Sequence, residues 1–240
     1  MLLRHVHFPN LTNYIHASVI QDKLVRTFLS HKASPKTTST PTPTILTAQF
    51  HPVYTCGRRE IGTVTPDQRD YLTQQTPWGR ASFHEALRGG QTTFHGPGQL
   101  IAYPILDLKR HGLSARCYVH ALESAVIRTC ASYGVEATRT ENPGVWTADG
   151  ERKICALGVH LRRNVSSHGI GLNVCTELGW FGRIVACGLE GKGTTSLRGM
   201  GVGGDVGAEE VGEVFVRALG EELEGVEAIV RVEGKDLDLD

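Results

Sequence analysis

The sequence lacks the features that mark a membrane protein, a secreted disulfide scaffold or a nucleic acid binder. No window approaches 18 consecutive apolar residues, so no membrane span is expected. None of the six cysteines forms a C-x-x-C pair or lies near spaced histidines, which excludes the common zinc patterns. Basic and acidic residues number 25 each, so the formal net charge is zero. This balance gives no sign of a nucleic acid partner.

The remaining composition is that of an ordinary globular protein, with 40% hydrophobic residues and a mean hydropathy of -0.17. A chain of 240 residues fits one large domain, and we expect a single domain over residues 1–240. The unpaired cysteines and the absence of a recognisable signal peptide predict a reduced, intracellular protein. The first 30 residues contain one acid, Asp22, as transit peptides do, but their helical pattern argues against a cleavable presequence.

Hydrophobic spacing predicts a helix over residues 12–30, capped by Asn10 or Thr12. Residues 31–44 are rich in serine, threonine and proline, and we expect a disordered surface loop inserted into the domain. The pattern then predicts an extended segment, a long loop and two strands, at residues 45–50, 51–79, 82–87 and 100–106. A second helix is predicted between an N-cap at Ser114 and a terminating glycine at Gly134.

The second half predicts a meander of strands. Strands are expected at residues 144–147, 153–161 and 168–174, the first two joined by a turn at Asp149-Gly150. A loop is predicted over residues 183–188, and a glycine-rich segment at 199–207 precedes a C-terminal helix around residues 211–219. Because strands and helices occur in separate runs, the pattern favours an α+β fold.

One stretch concentrates residues suited to a ligand site. Residues 88–99, with the sequence RGGQTTFHGPGQ, contain four glycines, a histidine and an arginine directly before an apolar strand. Glycine lets the backbone approach a ligand closely or adopt a positive φ. The stretch therefore predicts a substrate-lining loop, and a tight hairpin with an incidental histidine is the alternative.

The candidate nucleophile is Cys187. It ends the apolar run 184–186 and precedes Gly188, which lets the chain turn and exposes an amide that can meet a developing oxyanion. A buried core thiol is the other interpretation.

The candidate base is Lys153, the first residue of an apolar strand. A partly buried lysine that loses its charge can take a proton from a thiol, and a charged one can stabilise a thiolate. The alternative is a lysine whose stem packs on the strand while its amine reaches water.

Three further polar residues are candidates for supporting roles. His95 and His168 each precede a glycine, where a histidine can reach a substrate carbonyl or orient the thiol. Hydrogen bonding within a loop explains them equally well. Asn173 lies at the centre of a predicted strand, and we expect its amide to satisfy a neighbouring loop.

In combination these motifs resemble the lipoyl (octanoyl) transferases. The likeness extends over about residues 80–197, and less closely from residue 11. It is carried by four blocks: RGGQTTFHGPGQ at 88–99, NPGVW at 142–146 with KICALG at 153–158, HGIGLNV at 168–174, and ACG at 186–188.

The resemblance implies an α+β fold similar to the catalytic domain of biotin and lipoate protein ligases, with a mixed sheet and flanking helices. It assigns the acyl-accepting thiol to Cys187 and the catalytic lysine to Lys153, with His168 and Asn173 in support. The implied substrate pocket consists of Arg88, Gly89, Gly90, Gln91, Thr92, Thr93, Phe94, His95, Ala156, Leu157, Gly158, Gly169, Ile170 and Gly171.

The implied reaction moves an octanoyl group from octanoyl-acyl carrier protein to a lysine of apo lipoyl domains. The acceptors are the lipoyl domains of 2-oxoacid dehydrogenase complexes and the glycine cleavage H protein. No metal, cofactor, nucleic acid or membrane is implied. The setting is mitochondrial if the sequence is eukaryotic and cytoplasmic otherwise.

The sequence departs from the family pattern at three places. Ala186 stands where many relatives have proline, residues 31–44 are an unusual insertion, and the chain after Leu197 does not align. An ATP-dependent lipoate or biotin protein ligase remains an alternative, although its nucleotide-binding loop is not evident. A non-catalytic acyl-binding relative is a second alternative, against which the Lys153 and Cys187 pair argues.

Overall fold

The computed structural model describes residues 1–36, 38–184 and 191–233. Its elements are, in chain order, β1 (Leu2–Thr12), α1 (Tyr14–Ala33), β2 (Thr44–Phe50), β3 (Val53–Cys56), α2 (Pro66–Thr73), β4 (Ser82–Glu85), β5 (Thr93–His95), β6 (Gln99–Ile105), α3 (Ala115–Ser132), β7 (Ala137–Thr138), β8 (Val145–Thr147), β9 (Arg152–Arg162), β10 (Val165–Asn173), β11 (Gly193–Thr194), α4 (Ala208–Glu221) and β12 (Ala228–Glu233). Within these ranges no helix has the length and apolar character of a membrane span.

The N-terminal part is a βαβ unit, in which β1 and β2 are parallel neighbours joined by α1. The predicted helix is confirmed, but its N-cap is Asn13, whose side chain accepts a hydrogen bond from the Ile15 amide at 2.9 Å. The expectation that strands and helices are fully segregated is therefore wrong here. Strand β1 was not predicted because the buried His5 and His7 interrupt its apolar alternation.

The main sheet is mixed, as predicted for the fold class. Its strands lie in the order β12-β1-β2-β6-β10-β9-β8-β7, and β11 pairs with β9 in parallel. The two faces follow from strand alternation: Leu100 and Ala102 pack towards α3 and α4, whereas Ile101 and Tyr103 pack towards α1. Helices thus cover both faces of the central strands.

A small second sheet, in the order β4-β3-β5, packs on an aromatic cluster. The rings of Phe94 and Trp180 stack with centroids 4.9 Å apart, and the Tyr54 hydroxyl donates to the Trp180 carbonyl at 2.7 Å. This cluster fixes the 3-10 turn Leu178–Arg183, the last element before the undescribed residues 185–190.

Several predicted boundaries change. The loop expected over residues 51–79 contains β3 and α2, and α2 begins with a capping box between Thr65 and Gln68. Helix α1 continues to Ala33, so the connection to β2 comprises residues 34–43, of which residue 37 is undescribed. The loop predicted over 183–188 lies largely outside the described residues. Strand β12 was not predicted, and it pairs in parallel with β1.

Other predictions are confirmed. The Ser114 hydroxyl caps α3 by accepting from the Cys117 amide at 3.1 Å, and Gly134 follows the helix with a φ of 73°. Strands β8, β9 and β10 form the predicted antiparallel meander, turned after β8 through Gly150 at a φ of 71°. Helix α4 covers the predicted C-terminal helix.

Four of the described strand histidines are buried, His5, His7, His95 and His168, and the pKa values of three of them are lowered. His5 on β1, His95 on β5 and His168 on β10 are at most 6% exposed. Burial lowers the pKa of His5 to about 4 and the pKa values of His95 and His168 to about 3, because an imidazolium would lose its hydration. These histidines are therefore neutral in the folded protein at neutral pH.

We expect Gly134→Ala to lower the free energy of unfolding by about 1 kcal/mol, because an alanine is strained at a left-handed φ. No atom lies within 4 Å of the added methyl, so a steric clash does not contribute. Gly203→Ala is the matched control, since Gly203 has equally open surroundings and a φ outside the left-handed region. Urea unfolding measures both, and equal stabilities for the two variants would contradict the prediction.

We expect stability to fall as the pH decreases from 6.5 towards 4. The unfolded histidines take up protons below their ordinary pKa of 6.5, whereas the folded ones remain neutral. Each contributes up to about 2 kcal/mol of destabilisation at pH 5. Urea unfolding of His5→Gln at pH 7, 6 and 5 should show a smaller pH dependence than wild type. The exposed His120→Gln is the control, and an unchanged dependence in His5→Gln would overturn the prediction.

Candidate active site

Arg88 fixes the glycine-rich loop. Its buried guanidinium donates to the carbonyls of Gly89 and Gln91 at 3.0 and 2.9 Å. It also donates to the carbonyl and hydroxyl oxygens of Thr55 on β3, at 2.5 and 2.9 Å from Nη2. Arg88 was predicted as a substrate-pocket residue, and its hydrogen bonds show that it also holds residues 88–91 against β3.

Glycines allow this loop to touch two other segments. The Gly89 amide donates to the Val159 carbonyl of β9 at 3.0 Å. A Cβ at Gly158 would lie 3.0 Å from the Gly89 carbonyl oxygen, and a Cβ at Gly57 only 2.2 Å from the Gly90 carbonyl oxygen. Side chains at these positions would separate the loop from β9 and β3.

Between the loop, β9 and β10 lies a narrow slot with a cavity volume of about 50 Å³. It is lined by Arg88, Gly90, Gln91, Thr92, Thr93, His95, Tyr103, Ala156, Leu157, Gly158, Gly169, Ile170 and Gly171. The structure thus brings together twelve of the fourteen predicted pocket residues and adds Tyr103. Phe94 does not line the slot, because its ring is buried against Trp180, and Gly89 lines the adjoining cavity.

The adjoining cavity, which we call the lysine cavity, has a volume of about 280 Å³. It is lined by Arg59, Gly89, Gly90, Gln91, Val119, Asn142, Pro143, Lys153, Leu157, Gly158 and Val159. The slot and the lysine cavity share Gly90, Gln91, Leu157 and Gly158. A thin chain in the slot therefore lies next to the space that Lys153 faces.

Lys153 is buried and held by the turn before β8. Its Nζ donates to the Pro143 carbonyl at 3.1 Å and lies 4.6 Å from the centroid of a Trp146 ring. Gly144, at a φ of 123°, leaves room for the lysine stem, since a Cβ there would be 3.3 Å from Lys153 Cε. The motif NPGVW at 142–146 was noted only as part of the family resemblance. Its contact with Lys153 results from the pairing of β8 with β9, which could not be predicted from the sequence.

Cys187, the predicted nucleophile, lies outside the described residues. The chain is described up to Ile184 and again from Gly191, after which β11 runs parallel to β9 with Thr194 opposite Lys153. The Thr195 amide donates to the Lys153 carbonyl at 2.9 Å. The segment that carries Cys187 therefore leads directly into the strand beside the lysine.

The described cysteines have different surroundings. Burial raises the pKa values of Cys56, Cys130 and Cys155, that of Cys130 to about 12. Cys117 is exposed, and hydrogen bonds from Ser114 lower the pKa of its thiol. Cys117 faces neither the slot nor the lysine cavity.

The polar candidates occupy separate positions. His95 lines the slot, and its Nδ1 lies 2.8 Å from Gln99 Oε1. His168 lines neither cavity. It has a φ of 56°, and its amide donates to Gln21 Oε1 at 2.6 Å. The side-chain Nδ2 of Asn173 donates to the Thr195 carbonyl at 3.0 Å.

Across the described ranges, no group of three or more histidine, cysteine and acidic side chains is arranged to hold a metal ion.

Solved structures share this fold. A putative lipoate protein ligase from Thermoplasma acidophilum with bound lipoic acid matches with a TM-score of 0.66 and 14% identity, covering 100% of this chain and 93% of the other. Biotin protein ligase from Aquifex aeolicus in complex with biotin and ATP matches with a TM-score of 0.50 and 15% identity, covering 93% and 69%. At these identities the likeness concerns the fold alone.

Three relatives found by sequence have a higher sequence identity to this chain than these solved structures. A probable octanoyltransferase of Schizosaccharomyces pombe is 47% identical over 213 residues, 87% of this chain and 92% of the relative. A mitochondrial octanoyltransferase of Saccharomyces cerevisiae is 35% identical, covering 83% of this chain and 65% of the relative. The human mitochondrial octanoyl-[acyl-carrier-protein]:protein N-octanoyltransferase is 46% identical, covering 61% of each chain.

Residues 14–220 match the family described as the lipoyl protein ligase A/B catalytic domain. The match covers most of the chain, and the relatives named above support an acyltransferase of the octanoyltransferase type. This chain therefore belongs to the lipoyl protein ligase A/B catalytic domain family.

Proposed function

We propose that the protein transfers an octanoyl group from octanoyl-acyl carrier protein to a lysine of an apo lipoyl domain, through a thioester on Cys187. The observation that carries this proposal is the buried Lys153 in a cavity that adjoins a narrow slot. The slot and the adjoining lysine cavity, about 50 and 280 Å³ in volume, together take the acyl chain and its reacting carbonyl. The names of the sequence relatives supply the octanoyl group and the carrier.

In the first half-reaction the Cys187 thiolate attacks the carbonyl of the carrier thioester. A new carbon–sulfur bond forms to Cys187, the bond to the carrier sulfur breaks, and the carrier leaves as a thiolate that takes a proton from the Lys153 ammonium, which leaves Lys153 neutral for the second half-reaction. Because one thioester replaces another, the step is nearly balanced in free energy and needs no ATP. The ammonium form of Lys153 stabilises the attacking thiolate.

In the second half-reaction the ε-amine of the acceptor lysine attacks the octanoyl-Cys187 thioester. A carbon–nitrogen bond forms, the carbon–sulfur bond breaks, and Cys187 returns to the thiolate form. The attacking amine must lose a proton, which Lys153 accepts as the general base. Lys153 is suited to this role because the Pro143 carbonyl and Trp146 ring hold its amine at the cavity wall.

The slot supplies binding energy for the acyl chain. Each buried methylene contributes about 0.8 kcal/mol, so an eight-carbon tail binds strongly without charged contacts. Gly169 and Gly171 line the slot. A Cβ at Gly169 would lie 2.2 Å from the Ala102 carbonyl oxygen, and a Cβ at Gly171 would lie 3.2 Å from Gln99 Oε1, so side chains there would displace the wall of the slot. A narrow slot with glycines at these two positions admits a linear chain and excludes a branched one.

The acceptors under this proposal are the lipoyl domains of 2-oxoacid dehydrogenase complexes and the glycine cleavage H protein. A lipoylation system with an E2 lipoyl domain is the subject of one structural relative, a bi-partite lipoate protein ligase from Thermoplasma acidophilum. The yeast and human relatives are named as mitochondrial, which supports a mitochondrial location for this protein.

We expect Cys187 to become octanoylated when octanoyl-acyl carrier protein is added without ATP. Intact-protein mass spectrometry should detect one octanoyl adduct on wild type and none on Cys187→Ala. Cys117→Ala is the matched control, because it removes the exposed thiol whose pKa is lowered, and it should still be acylated. An adduct that persists in Cys187→Ala would refute the assignment, and a strict ATP requirement would favour the ligase alternative. Carriers with several acyl lengths extend the same measurement to chain-length selection.

We expect Lys153→Arg to lower kcat by at least about 100-fold, because a guanidinium stays protonated and cannot act as the base. The loss should be largest in the transfer of octanoyl from Cys187 to the lipoyl domain, measured in single turnover. Lys192→Arg, an exposed lysine paired with Glu151, is the control and should keep the wild-type rate. Retention of the wild-type rate and pH profile by Lys153→Arg would remove Lys153 from the mechanism.

A further inference from the structure

A chain of buried polar groups connects the slot to the strand beside Lys153. It runs from His95 in the slot wall through Gln99 and Asn173 to Thr195. These four residues are between 0% and 5% exposed. Buried polar groups that are fully hydrogen-bonded specify one arrangement, since each alternative leaves a donor or acceptor unpaired.

The hydrogen bonds fix the orientation of both amides. Asn173 Nδ2 donates to the Thr195 carbonyl at 3.0 Å, so its oxygen is turned towards Gln99. Gln99 Nε2 donates to that oxygen at 2.9 Å and to the Phe94 carbonyl at 3.3 Å. The remaining atom of the Gln99 amide, the acceptor Oε1, therefore faces His95.

The orientation of Gln99 determines the tautomer of His95. An amide oxygen only accepts hydrogen bonds, so His95 Nδ1, 2.8 Å from Gln99 Oε1, must carry the ring proton. Because burial lowers the pKa of His95 to about 3, the ring carries a single proton at neutral pH, and Nε2 holds a lone pair. The imidazole in the slot wall is uncharged, with its proton directed away from Nε2 and towards Gln99.

The other end of the network reaches the catalytic lysine. The Thr195 amide donates to the Lys153 carbonyl at 2.9 Å, and the Leu197 amide donates to the Asn173 carbonyl at 2.9 Å. Asn173 therefore binds residues 195–197 through its side chain and its backbone. A change at Gln99 alters a contact of the slot and the support of the strand next to Lys153.

The network is also closely packed. A Cβ at Gly171 would lie 3.2 Å from Gln99 Oε1 and 3.4 Å from His95 Nδ1. The glycine at this position lets Gln99 and His95 meet beneath β10. Little space remains for a water molecule to replace a lost hydrogen bond.

We infer that Gln99 and Asn173 are positioning residues, which direct the ring proton of the buried His95 to Nδ1 and tie the slot to the backbone of Lys153. An uncharged wall suits an apolar acyl chain, because a charge beside methylenes loses hydration without gaining a partner. The inference rests on the proposed function only for the identity of the chain in the slot.

The first test is the imidazole spectrum of the full-length wild-type protein. Long-range ¹H–¹⁵N correlation distinguishes a protonated ring nitrogen from one with a lone pair, and His95→Asn assigns the signal. We expect a protonated Nδ1, an unprotonated Nε2 and no titration of His95 between pH 8 and 5. An Nε2-protonated ring, or a midpoint near 6.5, would overturn the inference.

The second test is Gln99→Glu. A carboxylate still accepts from His95 Nδ1 but cannot donate to Asn173 or Phe94, and its charge favours the imidazolium. In this variant we expect the His95 imidazole to titrate with a midpoint between pH 5 and 8, although the charge of Arg88 and the neighbouring His168 oppose its protonation. KM for octanoyl carrier should rise at least tenfold at pH 6 and recover towards pH 8, whereas KM for acetyl carrier should change little.

Gln74→Glu makes the same chemical change at an exposed glutamine and should leave KM and the His95 signal unchanged. A Gln99→Glu enzyme with wild-type KM and pH profile would contradict the inference. If Gln99→Glu does not fold, the wild-type imidazole spectrum still decides the tautomer and charge of His95. If wild type transfers no octanoyl group, the proposed function fails, and the same spectrum tests the network independently.

Discussion

The close approach of the glycine-rich loop to β3 and β9 is the constraint on which the site depends. Arg88 donates to loop carbonyls and to Thr55, so one buried cation fixes the loop while its hydrogen bonds offset its desolvation. The Gly89 amide then reaches Val159 on β9. Because this contact forms one wall of both the slot and the lysine cavity, the positions of the two cavities are set together.

The two residues of the proposed mechanism, Lys153 and Cys187, belong to different parts of the chain. Lys153 lies on a strand with neighbours on both sides, paired with Trp146 of β8 and Thr194 of β11. A lysine on a paired strand keeps its position when substrates exchange. The Cys187 segment, in contrast, lies between an aromatic anchor at Trp180 and strand β11. In the mechanism that we propose, the base therefore belongs to a paired strand, and the thiol belongs to the connection between Trp180 and β11.

The sequence predicted most of the site but less of the fold around it. The glycine pattern at 88–99 predicted a substrate-lining loop because glycine marks places where backbones touch, whereas the slot residues of β9 and β10 were implied by the family resemblance. The same reasoning missed β1, since His5 and His7 occupy inward positions that normally hold apolar residues. It also missed Tyr103 as a slot residue. Tyr103 lies in an apolar strand, and it reaches the slot because β6 pairs with β10, which carries the slot residues Gly169 and Ile170.

The shared fold leaves the reaction open, and the side chains decide it. A lipoate-protein ligase A bound with ATP has the same architecture at a TM-score of 0.64 and 13% identity. Fold alone therefore fits both an acyl group activated by ATP and one activated as a thioester. In the mechanism that we propose, the deciding side chain is Cys187, in a segment that leads into the strand paired with Lys153. A thiol there makes the incoming carrier thioester sufficient, because exchange of one thioester for another conserves the activation that aminolysis then uses.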